Sequence, residues 1–297
     1  MSRTDPLETA LERAFGRVVG AQTPPRLMAA MHHAVFPGGA RIRPRVALAV
    51  AAAHGPVPPR AESLAVAIEF VHCASLVHDD LPCFDNAPVR RGRMSVHAKF
   101  GESLAVLAGD GLIVGAFEVL GHAIVEQPRL AGAIGVLAAA VGANGGLVAG
   151  QGWEDEPSTD VQRYHHAKTA ALFEAAVCMG AIAAKVDPAQ WRPVGTALGE
   201  AYQIADDLGD LISTPTELGK PVGQDLIHDR PNAALELGPE RAFARLEATL
   251  ARAVDAVPPC PGQDEFREWL GSACARLFPR RPVVHHLPVR EEAPLRA

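Results

Sequence analysis

The 297-residue chain contains no C-x-x-C pair, and its five cysteines (Cys73, Cys83, Cys178, Cys260 and Cys274) are odd in number and widely scattered. That pattern excludes a disulfide framework and a zinc ribbon, and predicts reduced thiols in a cytoplasmic protein. Aromatic residues make up only 5%, and no run of alternating β-branched residues is sustained, so little material for sheets is present. Lysine and arginine (28) are outnumbered by aspartate and glutamate (34), giving a formal net charge of -6. A general nucleic-acid binder would carry a basic stripe or tail, so that class is excluded. Any anionic substrate must be drawn by local charge. The opening Met1-Ser2-Arg3-Thr4-Asp5-Pro6 has no basic region followed by an apolar run, and no secretory signal is expected.

Hydrophobic residues are plentiful at 48%, with alanine and leucine dominant, which predicts an all-α fold with a sizeable core. Asp5, Pro6 and Glu8 read as an N-cap, a first-turn proline and a capping-box acid, opening a helix towards residue 20. Further helices are predicted over 26–35, 44–54, 60–80, 103–126, 129–143, 160–186, 193–212, 239–256 and 263–277, separated by Pro/Gly punctuation such as Gly55-Pro56-Val57-Pro58-Pro59. Leu130 to Gly150 carries no charge over 21 residues, yet six glycines and the turn signal Asn144-Gly145-Gly146 interrupt it. It is read as a central buried helix that breaks near Gly145 rather than as a membrane span. The simplest organisation is one helical domain over residues 1–280, a single large bundle around a central cavity, with a loose tail over 281–297.

Two acidic clusters lie more than a hundred residues apart. The first is His78-Asp79-Asp80-Leu81-Pro82-Cys83-Phe84-Asp85, followed by Arg90-Arg91-Gly92; the second is Gln203-Ile204-Ala205-Asp206-Asp207-Leu208-Gly209-Asp210. In the helix leading to Asp79, the spacing of Leu64, Ile68, Val71, Ser75 and His78 marks one inward stripe. Asp85 is about 240° from Asp79 on an ideal helix, so the two share a metal only if the helix breaks, and Pro82 supplies a break. Asp206 and Asp210 are about 40° apart and share a face with Gln203, while Asp207 is about 100° off that line and suited to supporting its neighbours. Carboxylates at a helix C-terminus oppose the dipole unless cations compensate, which points to hard divalent ions held against a diphosphate. Basic residues gather in glycine-containing segments: Gly38-Gly39-Ala40-Arg41-Ile42-Arg43-Pro44, Arg90-Arg91-Gly92-Arg93, Lys168-Thr169, and Gly219-Lys220-Pro221-Val222-Gly223-Gln224-Asp225 with Arg230. Arginine forks match phosphate oxygens and nearby glycines let the backbone approach.

Five motifs in one order, G-G-x-R-x-R-P, H-D-D-L-P-C-x-D with R-R-G, K-T-x-x-L-F, Q-x-x-D-D-x-x-D and G-K-x-x-G-x-D, make the chain resemble the trans-isoprenyl diphosphate synthase (polyprenyl synthetase) family between Phe36 and Asn232. It is most similar to the bacterial geranylgeranyl-forming members associated with carotenoid and bacteriochlorophyll pathways. The resemblance implies ionisation of an allylic diphosphate, condensation with isopentenyl diphosphate and loss of a proton, in a cytoplasmic homodimer. It further implies three Mg2+ ions with substrate bound, on Asp79, Asp85 and Asp206 with Asp80 and Asp210 nearby. Arg90, Lys168 and Lys220 would add charge to the same diphosphate, Thr169 and Gln203 would face the developing cation, and Arg43, His72 and Arg91 would hold isopentenyl diphosphate, with Arg230 where a lysine is usual.

Ala40 replaces a usual lysine in the first motif, which puts affinity for isopentenyl diphosphate in question, and Asn86 follows Asp85 where a longer acidic run is common. The family's chain-length gate falls on Ala74 and Ser75, both small, which implies growth past farnesyl to the twenty-carbon product. Ala74→Tyr is then expected to shorten the product to fifteen carbons. The rival readings are a farnesyl diphosphate synthase, a class I terpene cyclase, and a silent partner subunit of a related synthase. A cyclase has no need of a second diphosphate pocket, and a silent subunit has no need of intact aspartates.

Overall fold

The structure is a computed structural model that describes residues 5–36, 38–126, 130–157, 160–212 and 233–278. Lys220, Arg230, the whole G-K-x-x-G-x-D segment and the 281–297 tail lie outside the described residues.

Helices carry nearly all of the described chain, as the composition predicts: α1 (Pro6–Val18), α2 (Pro25–Val35), α3 (Ile42–Ala52), α4 (Pro59–Asp79), α5 (Val96–Phe100), α6 (Glu102–Glu126), α7 (Ala131–Val141), α8 (Leu147–Gly152), α9 (Val161–His165), α10 (Ala171–Ala184), α11 (Arg192–Ile212), α12 (Ala233–Leu237), α13 (Pro239–Asp255) and α14 (Gln263–Leu277). Several starts follow from local chemistry. Asp5 accepts from the Leu7 N–H ahead of Pro6, and Pro25, Pro59 and Pro239 each open a helix where a missing N–H costs nothing. A two-stranded antiparallel hairpin pairs β1 (Val89–Arg90) with β2 (Arg93–Met94), Arg90 opposite Arg93. Its two-residue loop, Arg91-Gly92, has φ 54 and 70, as a turn with two left-handed residues requires.

α4 and α10 form the centre. α4 is apolar almost all round and buries Leu64, Val66, Ile68, Phe70, Val71 and Val77, packing against α3, α6 and α10. α10 buries Leu172, Phe173, Val177 and Met179 and touches α3, α7 and α11. A second, smaller core joins α11 to α12 and α13 through Ile204, Leu208, Ala234, Phe243 and Leu246. At the far end Trp191 stacks edge-on against Phe266, and the Gly262 N–H donates to Ala53 O at 2.8 Å, tying the approach to α14 onto α3.

The uncharged 130–150 stretch differs from its expected place. It breaks across Gly142–Gly146, as the turn signal predicts, but α7 buries only Ala133, Leu137 and Ala140 and leaves its other faces outward, so it flanks the bundle. Eleven residues are also too few to cross a bilayer. Among the described residues three other helical runs are long and apolar enough by length and composition: Pro59–Asp79, Glu102–Val125 and Val161–Ala184. The first and third owe their apolarity to the core, being 67% and 78% buried, whereas α6 is only 44% buried.

Candidate active site

α4 ends at Asp79, with Asp80 as its C-cap and Pro82 just beyond to prevent continuation. The chain then folds back on itself. The Asp85 N–H donates to Asp79 O at 2.9 Å, Asn86 N–H to Leu81 O at 3.0 Å and Ala87 N–H to Asp80 O at 3.2 Å. Asn86 closes this return at φ 46, a left-handed conformation that asparagine tolerates. A tight loop, not a distorted helix, therefore brings Asp79 and Asp85 together on one cavity.

That cavity has a volume of about 560 Å³ and is lined from α3, α4, α6 to α8, α10 and α11. Asp206 and Asp210 reach it from one face of α11, as their four-residue spacing predicts. Arg90 and Lys168 reach it too, and its apolar part is made by Val71, Ile113, Val141, Leu147, Val148 and Leu172.

Lys168 and Thr169 sit in a π-turn, His166–Ala170, between α9 and α10. Insertions of this kind recur at functional sites because they re-aim side chains. Two glycines hold the turn from either side: a Cβ on Gly150 would collide with the backbone of Lys168, and one on Gly199 with that of Ala170. The Thr169 hydroxyl donates to Gln203 Oε1 at 2.7 Å, and Gln203 Nε2 donates to Asp207 Oδ1 at 2.8 Å. Lys168 Nζ donates to Glu154 and stands 3.9 Å from Asp79 Oδ1.

Electrostatics follow from burial and pairing. Burial pushes the Asp79 carboxyl above the usual carboxylate range, Lys168 opposes that, and the like charge of Asp85 adds to it. Burial works against the Lys168 ammonium, yet Asp79, Tyr164 and Glu154 together raise its pKa. His72 is pushed well below 6.5, first by burial and then by Arg43 and Arg91, so it is neutral near pH 7.

Arg43 is 6% exposed, its guanidinium 4.5 Å from the Phe173 ring centroid and 5.1 Å from that of Tyr202. Its Nη1 stands 3.5 Å from His72 Nε2, and its Nε is buried without a hydrogen-bond partner. A buried cation with an unsatisfied donor at a cavity wall suits an anionic ligand.

Eleven of the residues singled out in the sequence thus line one cavity: Arg43, His72, Ser75, Asp79, Asp85, Arg90, Lys168, Thr169, Gln203, Asp206 and Asp210. Four do not. Asp80 is 2% exposed and accepts from Arg90 Nε at 2.9 Å and Nη2 at 2.5 Å, so its carboxylate anchors Arg90 rather than facing the cavity. Asp207 is fully buried behind Gln203. Ala74 is fully buried in the core, one position round α4 from the cavity-lining Ser75. Arg91, at the hairpin turn, lies against the backbone of Gly39, where a Cβ would come within 2.9 Å of its Nε. Arg41 of the first basic motif also turns inward, donating to Glu8 at 2.8 Å and Glu69 at 2.6 Å. Gln151, Asp155, Tyr164 and Tyr202 line the cavity without having been singled out. The one available signal was the acidic run Glu154-Asp155-Glu156, which follows the long uncharged stretch ending at Trp153.

The donor set fits hard divalent cations, since carboxylate oxygens from two separate helical ends reach one cavity. Among the described residues no three His, Cys, Asp or Glu side chains converge into a ready-made chelate. That is the arrangement suited to Mg2+, which is commonly held by one or two carboxylates together with substrate phosphates.

Carboxylates, cations and an apolar recess in one helical cavity define a site for the diphosphate of a hydrocarbon alcohol. The chain belongs to the polyprenyl synthetase family, whose profile matches residues 24–257. It is 47% identical over 275 residues to the geranylgeranyl diphosphate synthase of Cereibacter sphaeroides, covering 92% of this chain and 96% of that one. It is 48% identical over 270 residues to the geranylgeranyl diphosphate synthase of Rhodobacter capsulatus, covering 90% and 93%. Among solved structures it is similar to a geranyltransferase from Helicobacter pylori complexed with magnesium and isoprenyl diphosphate, with a TM-score of 0.77, 28% identity, and coverage of 93% of this chain and 100% of that one.

Proposed function

We infer that the protein is a trans-prenyltransferase that condenses isopentenyl diphosphate with an allylic diphosphate and forms geranylgeranyl diphosphate. The observation that carries this is the shared cavity: Asp79 and Asp206, 127 positions apart, line it together with Arg90, Lys168 and an apolar recess.

In this reading Asp79, Asp85, Asp206 and Asp210 hold Mg2+, three ions when substrate is bound. The bound ions supply Lewis-acid stabilisation of the departing diphosphate. Arg90, kept in place by Asp80, and Lys168 add positive charge to the same leaving group. Thr169 and Gln203 present fixed dipoles beside the developing allylic cation, and Asp207 sets the Gln203 amide. Arg43, packed against two aromatic rings, binds the second diphosphate with His72, and Arg91 adds charge from behind. Ala40 supplies no cation there. The apolar recess excludes water from the cation and takes up the growing chain, with Ser75 leaving room beyond fifteen carbons.

The same reading places a single synthase domain in the cytoplasm as a homodimer, with carotenoid synthesis as the consumer of its product. Support for the dimer comes from Val106, Leu107 and Val114 on α6 and Ile134 on α7, all exposed.

Purified protein incubated with Mg2+, labelled isopentenyl diphosphate and each allylic primer is expected to give the twenty-carbon diphosphate, and chelation is expected to abolish turnover. Asp206→Asn should lower kcat by about 100-fold or more, as loss of a group stabilising transition-state charge does. A fifteen-carbon product would favour the farnesyl reading, and inertness with every primer the silent subunit. Turnover without isopentenyl diphosphate would favour a cyclase.

A further inference from the structure

We propose that Glu154 is a positioning residue for the reaction, its carboxylate fixing the Lys168 ammonium at the cavity wall. The proposal rests on the reading of Lys168 as a diphosphate-binding group.

Lysine is a point charge on a flexible four-carbon stem, and holding it in one place costs rotamer entropy that a neighbour must offset. Glu154 is placed to do so. It lies in a short 3₁₀ turn, Trp153–Asp155, just after α8, fourteen positions before Lys168. Its side chain is largely buried and does not line the cavity. Oε1 accepts from Lys168 Nζ and from the Tyr164 hydroxyl at 2.7 Å, while Oε2 accepts from Gln151 Nε2 at 2.7 Å. Donors from α8, α9 and the π-turn thus converge on one carboxylate, and the Tyr164 ring centroid lies 5.8 Å from the ammonium. Charge-assisted bonds of this kind are shorter and stronger than neutral ones.

On its other side Lys168 stands 3.9 Å from Asp79. Without the Glu154 carboxylate the ammonium would close on Asp79, withdrawing a carboxylate from the leaving-group side and leaving the diphosphate without its cation. Glu154 therefore acts through Lys168 and needs no contact with substrate.

A double-mutant cycle tests this, with Glu154→Gln, Lys168→Ala and the pair, reading kcat, each KM and Tm. Glu154→Gln is expected to lower kcat over KM for the allylic diphosphate about tenfold, a loss typical of a misplaced group, and to leave KM for isopentenyl diphosphate unchanged. In the Lys168→Ala background it is expected to cost nothing further. Glu154→Asp, which keeps the charge, should recover part of the loss. Should Glu154→Gln fail to fold, Tyr164→Phe runs the same cycle with a smaller effect in the same direction. Additive losses, or a Glu154→Gln enzyme at the wild-type rate, would overturn the proposal. Wild-type protein that elongates no primer would instead sink the synthase reading itself.

Discussion

Ser75 and Ala74 are adjacent on α4 and both small, yet they face different surroundings. Ser75 lines the cavity, its hydroxyl donating back to His72 O at 2.9 Å, whereas Ala74 is sealed in the core. Two bulky substitutions should therefore part company. Ser75→Tyr is expected to shorten the product to fifteen carbons with little loss of stability. Ala74→Tyr must force its ring into packed core, costing about 1–3 kcal/mol, and is expected to lower Tm rather than act as a direct plug. Product chromatography alongside thermal melts distinguishes the two, and an unchanged product from Ser75→Tyr would remove it as the gate. Much at this scale was legible in advance, because helical spacings of three and four alone put Gln203, Asp206 and Asp210 on a shared face. The inward turn of Asp80 was not legible, since it depends on Arg90, which a hairpin ten residues later delivers.

The π-turn and its two flanking glycines set the element scale. Gly199→Ala would drive α11 away from Ala170, and the Thr169–Gln203 bond at 2.7 Å would go with it. The expected outcome is a kcat lowered roughly tenfold or more, with a modest fall in Tm, measured in the same preparation. One turn further, α10 and α11 are joined by Glu174, which accepts from His166 Nε2 at 2.9 Å and from the Thr196 hydroxyl at 2.7 Å. The bond to Glu174 raises His166 above 6.5, and Glu174 is held below 4.5 because bonds from His166 and Thr196 outweigh burial. The raised histidine contributes stability below pH 6.5 and loses it as pH rises through its folded value. The depressed glutamate contributes above pH 4.5 and loses it as pH falls through its own. The pair is thus fully effective between those limits. Because His166 is 46% exposed, screening holds its worth to about 0.5 kcal/mol. Urea unfolding of wild type and His166→Ala should differ more near pH 5.5 than near pH 8.5, and an equal difference at both would remove the pair as the source.

For the whole molecule, a net charge of -6 coexists with a cavity to which arginine and lysine have been brought from three separate stretches of chain, at Arg43, Arg90 and Lys168. Anion capture is therefore a local property and needs no basic surface. The outward apolar residues of α6 carry the prediction at this scale. Val114 is 66% exposed, and if the proposed dimer forms on this face, Val114→Glu is expected to shift the protein from dimer to monomer in sedimentation. A wild-type protein that sediments as a monomer would withdraw the dimer.

Helix starts and stops were readable because proline, glycine and capping carboxylates act within a few residues: Asp5, Pro6, Pro25, Pro59, Pro82 and Pro239 each do locally what their chemistry dictates. The two acidic clusters were readable for the same reason, being short-range patterns with a chemical meaning. Which helices would occupy the middle was not, since α4, α7 and α10 are all apolar and only their neighbours decide that α7 stays outside. Nor was the side of the wall on which Asp80 and Glu154 would stand. A side chain's partner across a bundle is chosen by the packing of elements distant in the chain, and no spacing rule reaches that far.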